Sequence, residues 1–252
     1  MLLICSIAIA EENESLVDSL KPGFYTLNVS VNYLDWTGGT EDRSPQEDFS
    51  YVELEGFAKW DWGEFYMFFD VENPTKNYGD RVPDSKRYAL KPVIDIKLFD
   101  TDFYFHIQDY MLYSDQFYVN NLVIGLSYKI STDFGFWMKP FIGPHIQTST
   151  YYNGNNGYIA GYVFEYKFDL LDETFSVSQW HEHEWGRNKG HFLLDNGVPI
   201  GDGESSGIQG AFCVWWHPID EITTGIQYRY ANNKLGFQGY QAGYIYSLKY
   251  NF

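Results

Sequence analysis

Several residue types are scarce in this chain of 252 residues. Cysteine occurs twice, at Cys5 and Cys213. Cys5 falls in the leader described below, which leaves one thiol, too few for a disulfide framework or a thiolate metal site. Arginine occurs five times, and Lys and Arg together number 17 against 34 Asp and Glu, a net charge of −17. A phosphate-binding surface needs clustered basic side chains, so no nucleic-acid partner is expected. No run of about 18 apolar residues exists, which excludes a helical membrane span. No segment holds a helical period for three turns. The spacings His-Glu-x-x-His and Gly-x-Ser-x-Gly are both absent. Nothing in the sequence brings Ser, His and a carboxylate together as hydrolysis requires, so no enzyme, no catalytic residue and no cofactor are expected.

Aromatic residues are abundant instead: 22 Tyr, 20 Phe and 8 Trp, 20% of the chain. Hydrophobic residues make up 44%, too many for a disordered polypeptide. Alternation with period two runs almost throughout. It predicts twelve strands, near residues 23–36, 48–60, 63–72, 86–98, 103–113, 116–129, 134–148, 156–168, 173–185, 206–216, 221–231 and 240–252. Every second connection is short: Asp61-Trp62, Phe99 to Asp102, Ile130 to Asp133, Asp169 to Asp172 and His217 to Asp220. The others are mostly longer, as at Thr37 to Glu47, Asn73 to Ser85, Gly186 to Ser205 and Asn232 to Gly239, with Ser114-Asp115 the exception. Short turns on one side and long loops on the other, with an even strand number, are the pattern of a bacterial outer-membrane barrel.

The faces agree with a wet interior and a lipid belt. Val52, Leu54, Gly56 and Ala58 alternate with Glu53, Glu55, Phe57 and Lys59, and Phe65, Met67, Phe69 and Val71 with Glu64, Tyr66, Phe68 and Asp70. Tyr88, Leu90, Pro92, Ile94 and Ile96 alternate with Lys91, Asp95 and Lys97. The expected fold is all-β, a twelve-stranded antiparallel transmembrane barrel of the Gram-negative outer membrane over residues 23–252. Leu2 to Ala10 reads as the end of a signal peptide cut near Ala10, although no positive n-region precedes it. Residues 11–22 then form a periplasmic N-terminal segment. At the other end Tyr244, Tyr246, Leu248, Tyr250 and Phe252 take every second position and finish on Phe. This resembles the signal by which barrels are recognised for membrane insertion. The alternative is an ordinary edge strand, which would be an aggregation hazard this exposed.

The stretch Tyr51 to Tyr66 (YVELEGFAKWDWGEFY), followed by Phe69-Asp70, resembles a hairpin of the nucleoside-specific channel family Tsx, which includes the related OmpK porins. Lys91-Pro92 to Ile96 is similar to the family's Glu-Pro-Arg strand, with Lys91 before the Pro. Asp102-Phe103 through Asp109-Tyr110 parallels a further strand, with Asp109 where the family has Glu. Trp185-Gly186 and the segment from Gly243 to Phe252 also fit. The resemblance spans nearly the whole chain and implies a channel passing nucleosides by facilitated diffusion. Outer-membrane lipid, lipopolysaccharide, the barrel assembly machinery and nucleoside-like solutes are the partners it implies.

A nucleoside lumen needs flat aromatic faces for the base and polar groups for ribose and base edges, with binding weak enough for release. Lumen candidates are Glu53, Glu55, Phe57, Lys59, Glu64, Tyr66, Phe68, Asp70, Lys91, Asp95, Lys97, Trp137, Lys139, Glu165, Lys167, Gln227 and Arg229. The opposed charges could equally brace the barrel, and the rings could simply fill it. Asp109 is also a candidate, although alternation with Phe103, Phe105 and Ile107 puts it on the lipid side. A carboxylate facing lipid at mid-depth is unfavourable, so either a bulge near Ile107 turns it inward or it lies near the headgroups. In Trp180 to Trp185, His181 and His183 share one strand face, with Glu182 and Glu184 on the other. Two His at this spacing can join a metal site only with a further ligand from elsewhere. The function alternatives are a general or differently selective porin and a closed surface barrel. The excess acid predicts a weak cation preference unless much of it sits in loops.

Overall fold

The computed structural model describes residues 21–80 and 85–252. Long period-two segments cannot leave their backbone groups unpaired in lipid, and the chain satisfies them by joining first strand to last. The strands are β1 (Phe24–Trp36), β2 (Phe49–Trp60), β3 (Gly63–Glu72), β4 (Arg87–Lys97), β5 (Phe103–Tyr113) and β6 (Tyr118–Tyr128). β6 is continued past Lys129 by the two-residue piece Ile130–Ser131. Then come β7 (Phe136–Ser149), β8 (Asn153–Leu170), β9 (Glu173–Trp185), β10 (Ser206–Ile219), β11 (Ile222–Lys234) and β12 (Phe237–Asn251). All neighbours pair antiparallel in sequence order. β6 pairs with β7, and β12 pairs with β1 from Asn28↔Asn251 to Trp36↔Gly243. The barrel is therefore closed with twelve strands and has no edge, so the C-terminal strand is not an edge strand.

The five turns on the side of the termini are short: 61–62, 98–102, 132–135, 171–172 and 220–221. Three connections on the opposite side are long, 37–48, 73–86 and 186–205. The first holds one turn of helix, α1 (Gly38–Glu41), and the last holds α2 (Lys189–Phe192). Two expected loops are strand instead. The stretch Asn232 to Gly239 is a hairpin closed by Leu235 and Gly236, both at positive φ, the geometry that matches strand twist. β8 starts at Asn153, so only residues 150–152 connect it to β7. Both stretches are rich in Asn and Gly and look like loops in sequence. They carry bulges, at Pro144/Ile146 against β8 and at Asn232/Lys234 against β12, with Gly154, Gly157, Asn233 and Gly239 at positive φ. The signal-peptide segment 1–10 lies outside the described residues, as does all of 11–22 except Lys21 and Pro22.

The apolar face points outward. Val31, Leu54, Ile94, Ile142, Val214, Ile226 and Leu248 are exposed. The five C-terminal residues Tyr244, Tyr246, Leu248, Tyr250 and Phe252 lie on this outer side. The interior holds two small apolar clusters, Leu34, Trp36, Tyr51 and Ile245, and Ala211, Cys213 and Trp215. Further apolar side chains such as Val123, Phe141 and Ile159 face inward among a majority of polar groups.

Candidate functional site

Cross-strand partners share a face, so the register fixes which side chains enter the lumen. Glu53, Glu55, Phe57 and Lys59 of β2 stand opposite Asp70, Phe68, Tyr66 and Glu64 of β3. Lys91, Asp95 and Lys97 of β4 continue that face. Trp137 and Lys139 of β7 face Glu165 and Val163 of β8, and Lys167 stands on the same face of β8. Gln227 and Arg229 of β11 face Cys213 and Ala211.

These groups fall into layers rather than one site. Near the turn side, Glu64 accepts from both Lys129 and Lys139. Lys139 Nζ also lies 3.0 Å from Asp95 Oδ2, while His106 Nδ1 is 2.8 Å from Asp95 Oδ1 and Ser127 Oγ donates to it at 2.6 Å. At mid-depth, Glu182 of β9 accepts from Lys91 Nζ, Gln108 Nε2 and Gln209 Nε2, each at 2.8 Å. Lys91 and Gln108 stand on β4 and β5, so these bonds cross the lumen. On the β1–β3 wall, Glu55 accepts from Lys249 Nζ at 2.8 Å, Asn28 Nδ2 at 3.0 Å and Tyr66 Oη at 2.8 Å. Near the loops, Glu184 takes Arg187 Nε at 2.8 Å and also Lys234. Buried ion pairs with this many bonds offset their desolvation; removing one partner costs about 3–5 kcal/mol.

The wall charges that make no ion pair among the described residues are Lys59, Glu165, Lys167 and Asp169 toward the turn side, and Glu53, Asp70 and Arg229. Glu53 and Asp70 are direct cross-strand partners, and neither makes an ion pair among the described residues. Glu53 accepts a 3.4 Å bond from Ser30 Oγ and shares a hydrogen bond with the Asp70 carboxyl, whose Oδ1 is buried without a partner. Arg229 also makes no ion pair among the described residues. Its guanidinium donates to Gly210 O at 3.0 Å, Tyr230 O at 3.2 Å and Gln209 Oε1 at 2.9 Å, and stacks 4.7 Å from the Trp180 ring. Lys249 lies over Trp215 at 4.6 Å.

Asp109 does not enter the lumen. β5 keeps one register against β6 from Phe103↔Tyr128 to Tyr113↔Tyr118, and no bulge occurs at Ile107. Asp109 therefore projects to the lipid side, where Asn120 Nδ2 donates to its Oδ1 at 2.6 Å. That hydrogen bond, rather than a bulge, is how the carboxylate is accommodated. His181 and His183 also project outward, with His181 Nδ1 2.7 Å from Tyr230 Oη and His183 Nε2 3.2 Å from Ser206 Oγ. Among the described residues no three His, Cys, Asp or Glu side chains gather as a metal site.

Sequence reasoning missed Glu182, Glu184, Gln108, Gln209, Lys129, Lys234 and Lys249 as lumen groups. Both faces of β9 are polar between His181 and Glu184, which hides the inner one. Counting back by twos from Glu182 through Trp180 to Ser178 and Ser176, opposite Val177 and Phe175, would have found it.

The long loop 186–205 is tied over the loop-side end of the barrel. The Arg187 side chain is fully buried and donates to Glu184 Oε2 and to Asn233 O, both at 2.8 Å. Asp202 Oδ1 accepts from Gly236 N at 2.8 Å, and its Oδ2 is 3.4 Å from His191 Nε2. Burial pushes the Asp202 carboxyl up, but the His191 bond and the Lys234 and Arg187 charges outweigh it, and its pKa lies below the ordinary value.

Between the two rims the lumen wall carries ten carboxylates: Glu53, Glu55, Glu64, Asp70, Glu72, Asp95, Glu165, Asp169, Glu182 and Glu184. Ten cations face them: Lys59, Arg87, Lys91, Lys97, Lys129, Lys139, Lys167, Arg229, Lys234 and Lys249. The wall is dense in hydrogen-bonding groups yet almost neutral.

The chain resembles other outer-membrane barrels in fold. A NanC porin is 12% identical over 88% of this chain and 98% of its own, with a TM-score of 0.50. An outer-membrane channel from Pseudomonas putida F1 is 11% identical over 92% of this chain and 96% of its own, with a TM-score of 0.43. The profile of the nucleoside-specific channel-forming protein Tsx matches residues 31–252. A closed barrel with a lipid-facing apolar exterior, a polar interior and that match makes this protein a channel of the bacterial outer membrane, and the chain belongs to the Tsx family of nucleoside-specific channel-forming proteins.

Proposed function

We propose that the lumen passes nucleosides by facilitated diffusion, without catalysis. The observation that carries this reading is the near-neutral wall. Uncharged solutes rich in hydrogen-bonding edges gain from dense polar groups, and a net field would favour ions instead. Phe57, Tyr66 and Phe68 offer faces on which a base stacks, worth about 1–3 kcal/mol per base in single-strand binders. Glu53, Glu55, Lys59, Asp70 and Arg229 offer the polar contacts for ribose and base edges. Glu64, Asp95 and Lys97 belong to the turn-side end, where Glu64 and Asp95 brace the wall with Lys129, Lys139 and His106. Tyr244 to Phe252 is the segment we assign to recognition by the barrel assembly machinery, and the outer aromatic belt to contact with lipid and lipopolysaccharide.

The test is single-channel conductance in a planar bilayer, titrated with adenosine and thymidine. Saturable block of a small current is expected, weakened about tenfold or more in Tyr66→Ala, since a lost stack of about 1.4 kcal/mol or more is a factor of ten. A current indifferent to both nucleosides would point to a general or differently selective porin. No current from folded protein would point to a closed surface barrel.

A further inference from the structure

The Lys91–Glu182 bridge joins β4 to β9 across the barrel, and Gln108 of β5 joins the same carboxylate. Such a chord divides the lumen into two lobes. One is enclosed by β5 to β8, the other by β10 to β12 and β1 to β3.

The β5–β8 lobe is packed solid at mid-depth, while Val163 and Lys167 toward the turn side stay exposed. Its inward residues His106, Val123, His145 and Ile159 are 3%, 0%, 0% and 2% exposed. The Phe141 ring lies 4.6 Å from that of His106 and covers Gly161. β6 and β7 approach so closely that a Cβ on Gly125 would run into Ile142 O and Gly143. The opposite lobe is packed in part, with Ser30, Asn32, Ala211, Cys213 and Ile245 buried, but Glu53, Tyr66, Phe68, Gln227 and Arg229 remain partly accessible.

Of the wall charges that lack an ion pair among the described residues, Lys59, Glu165, Lys167 and Asp169 lie toward the turn side, and the other three belong to the accessible lobe. Glu53 and Asp70 stand on the β2–β3 wall, and Arg229 on β11. Tyr51 lies within electrostatic reach of Glu53, Asp70 and Arg229 together, and Tyr110 of Asp70 and Arg229. The Arg229 cation on one wall and the hydrogen-bonded Glu53–Asp70 carboxyl pair on the other produce a transverse field, which orients a neutral dipolar solute without attracting ions of one sign.

We infer that solute passes along a single off-axis lane between β10–β12 and β1–β3, with the Lys91–Glu182 bridge as its inner wall and Arg229 opposite Glu53 and Asp70 as its selectivity-determining constriction. The inference rests on the channel reading and not on the identity of the solute, so ion current is its readout.

The full chain, folded as judged by heat-modifiable migration, is measured in potassium chloride. The double variant Lys91→Met/Glu182→Gln removes the bridge charges and is expected to raise conductance about twofold or more, because the inner wall loosens. Val123→Ala, in the solid lobe, leaves conductance unchanged. Arg229→Gln shifts the reversal potential toward cation selectivity. Independently of the bridge, Gln227→Cys on a Cys213→Ser background loses current on labelling with a cationic methanethiosulfonate, and Val123→Cys on that background does not. An increase of current in Val123→Ala, a drop on labelling Val123→Cys, or an unchanged current at labelled Gln227→Cys would place the path in the other lobe and overturn the lane. An unchanged reversal potential in Arg229→Gln would remove the constriction.

Discussion

At the scale of single residues, the interior is decided by which groups share a hydrogen bond. Glu55 and Glu182 each hold three donors, one of them a lysine, whereas Glu53 and Asp70 hold each other and no cation. Asp109 shows the same economy on the lipid side. A carboxylate facing lipid is unfavourable, and its bond from Asn120 removes only part of that cost. Replacing both, in Asp109→Leu/Asn120→Leu, is expected to stabilise the barrel by about 1–2 kcal/mol. A higher temperature for the shift from folded to unfolded migration would show it. Gly125 lies at the opposite extreme, where no side chain fits. Gly125→Ala pushes β6 from β7 and is expected to cost about 1–3 kcal/mol, read as a lower urea midpoint in lipid or detergent.

Among the elements, loop 186–205 is the part whose anchoring depends on pH. The depressed pKa of Asp202 means that its contribution is full above the unfolded carboxyl value of about 4 and is lost as pH falls through the folded value. Proteolytic nicking of the loop by an acid-stable protease is therefore expected to rise steeply in that acid window and to stay flat from pH 5 to 7. Asp202→Asn should bring the loss to neutral pH, by about 1–3 kcal/mol of local stability. Equal nicking of wild type and Asp202→Asn at pH 7 would show that Arg187 alone holds the loop. Bulges are the other device at this scale. They turn Asn- and Gly-rich stretches into continuous strand at β7–β8 and β11–β12, where the sequence pattern suggests loops.

For the whole molecule, the distribution of charge matters more than its sum. The net −17 is carried outside the lumen wall. Turns on the side of the termini hold Asp61, Asp100, Asp102, Asp133, Asp172, Asp220 and Glu221 and no basic residue, and loop 37–48 holds Glu41, Asp42, Glu47 and Asp48. Such rim charges act over a Debye length of roughly 3 Å in 1 M salt and 30 Å at 0.01 M. Wild-type channels are accordingly expected to show a reversal potential near zero in a gradient at molar salt and a cation preference only at low salt. A strong cation preference at molar salt would mean that the wall is not balanced. The expectation of cation preference from composition is thus moved from the lumen to the rims.

The strand number, the sides of the short turns and the lumen positions on β2, β3 and β4 are all legible in the sequence, because a side-chain period of two assigns each residue to a face without knowledge of its partner. The Tyr51 to Tyr66 hairpin carries the family resemblance for the same local reason. What period two cannot contain is distance across the barrel. Only closure of β12 onto β1 brings β4 and β5 opposite β9, and so makes Lys91, Gln108 and Glu182 one group. Asp109 remains outward because its register with β6 is unbroken, and the Asn232 to Gly239 stretch is strand because β12 is there to pair with it. The sequence determined the faces; the tertiary structure decided which charges meet in the lumen, since the ion pairs there join residues up to 194 positions apart.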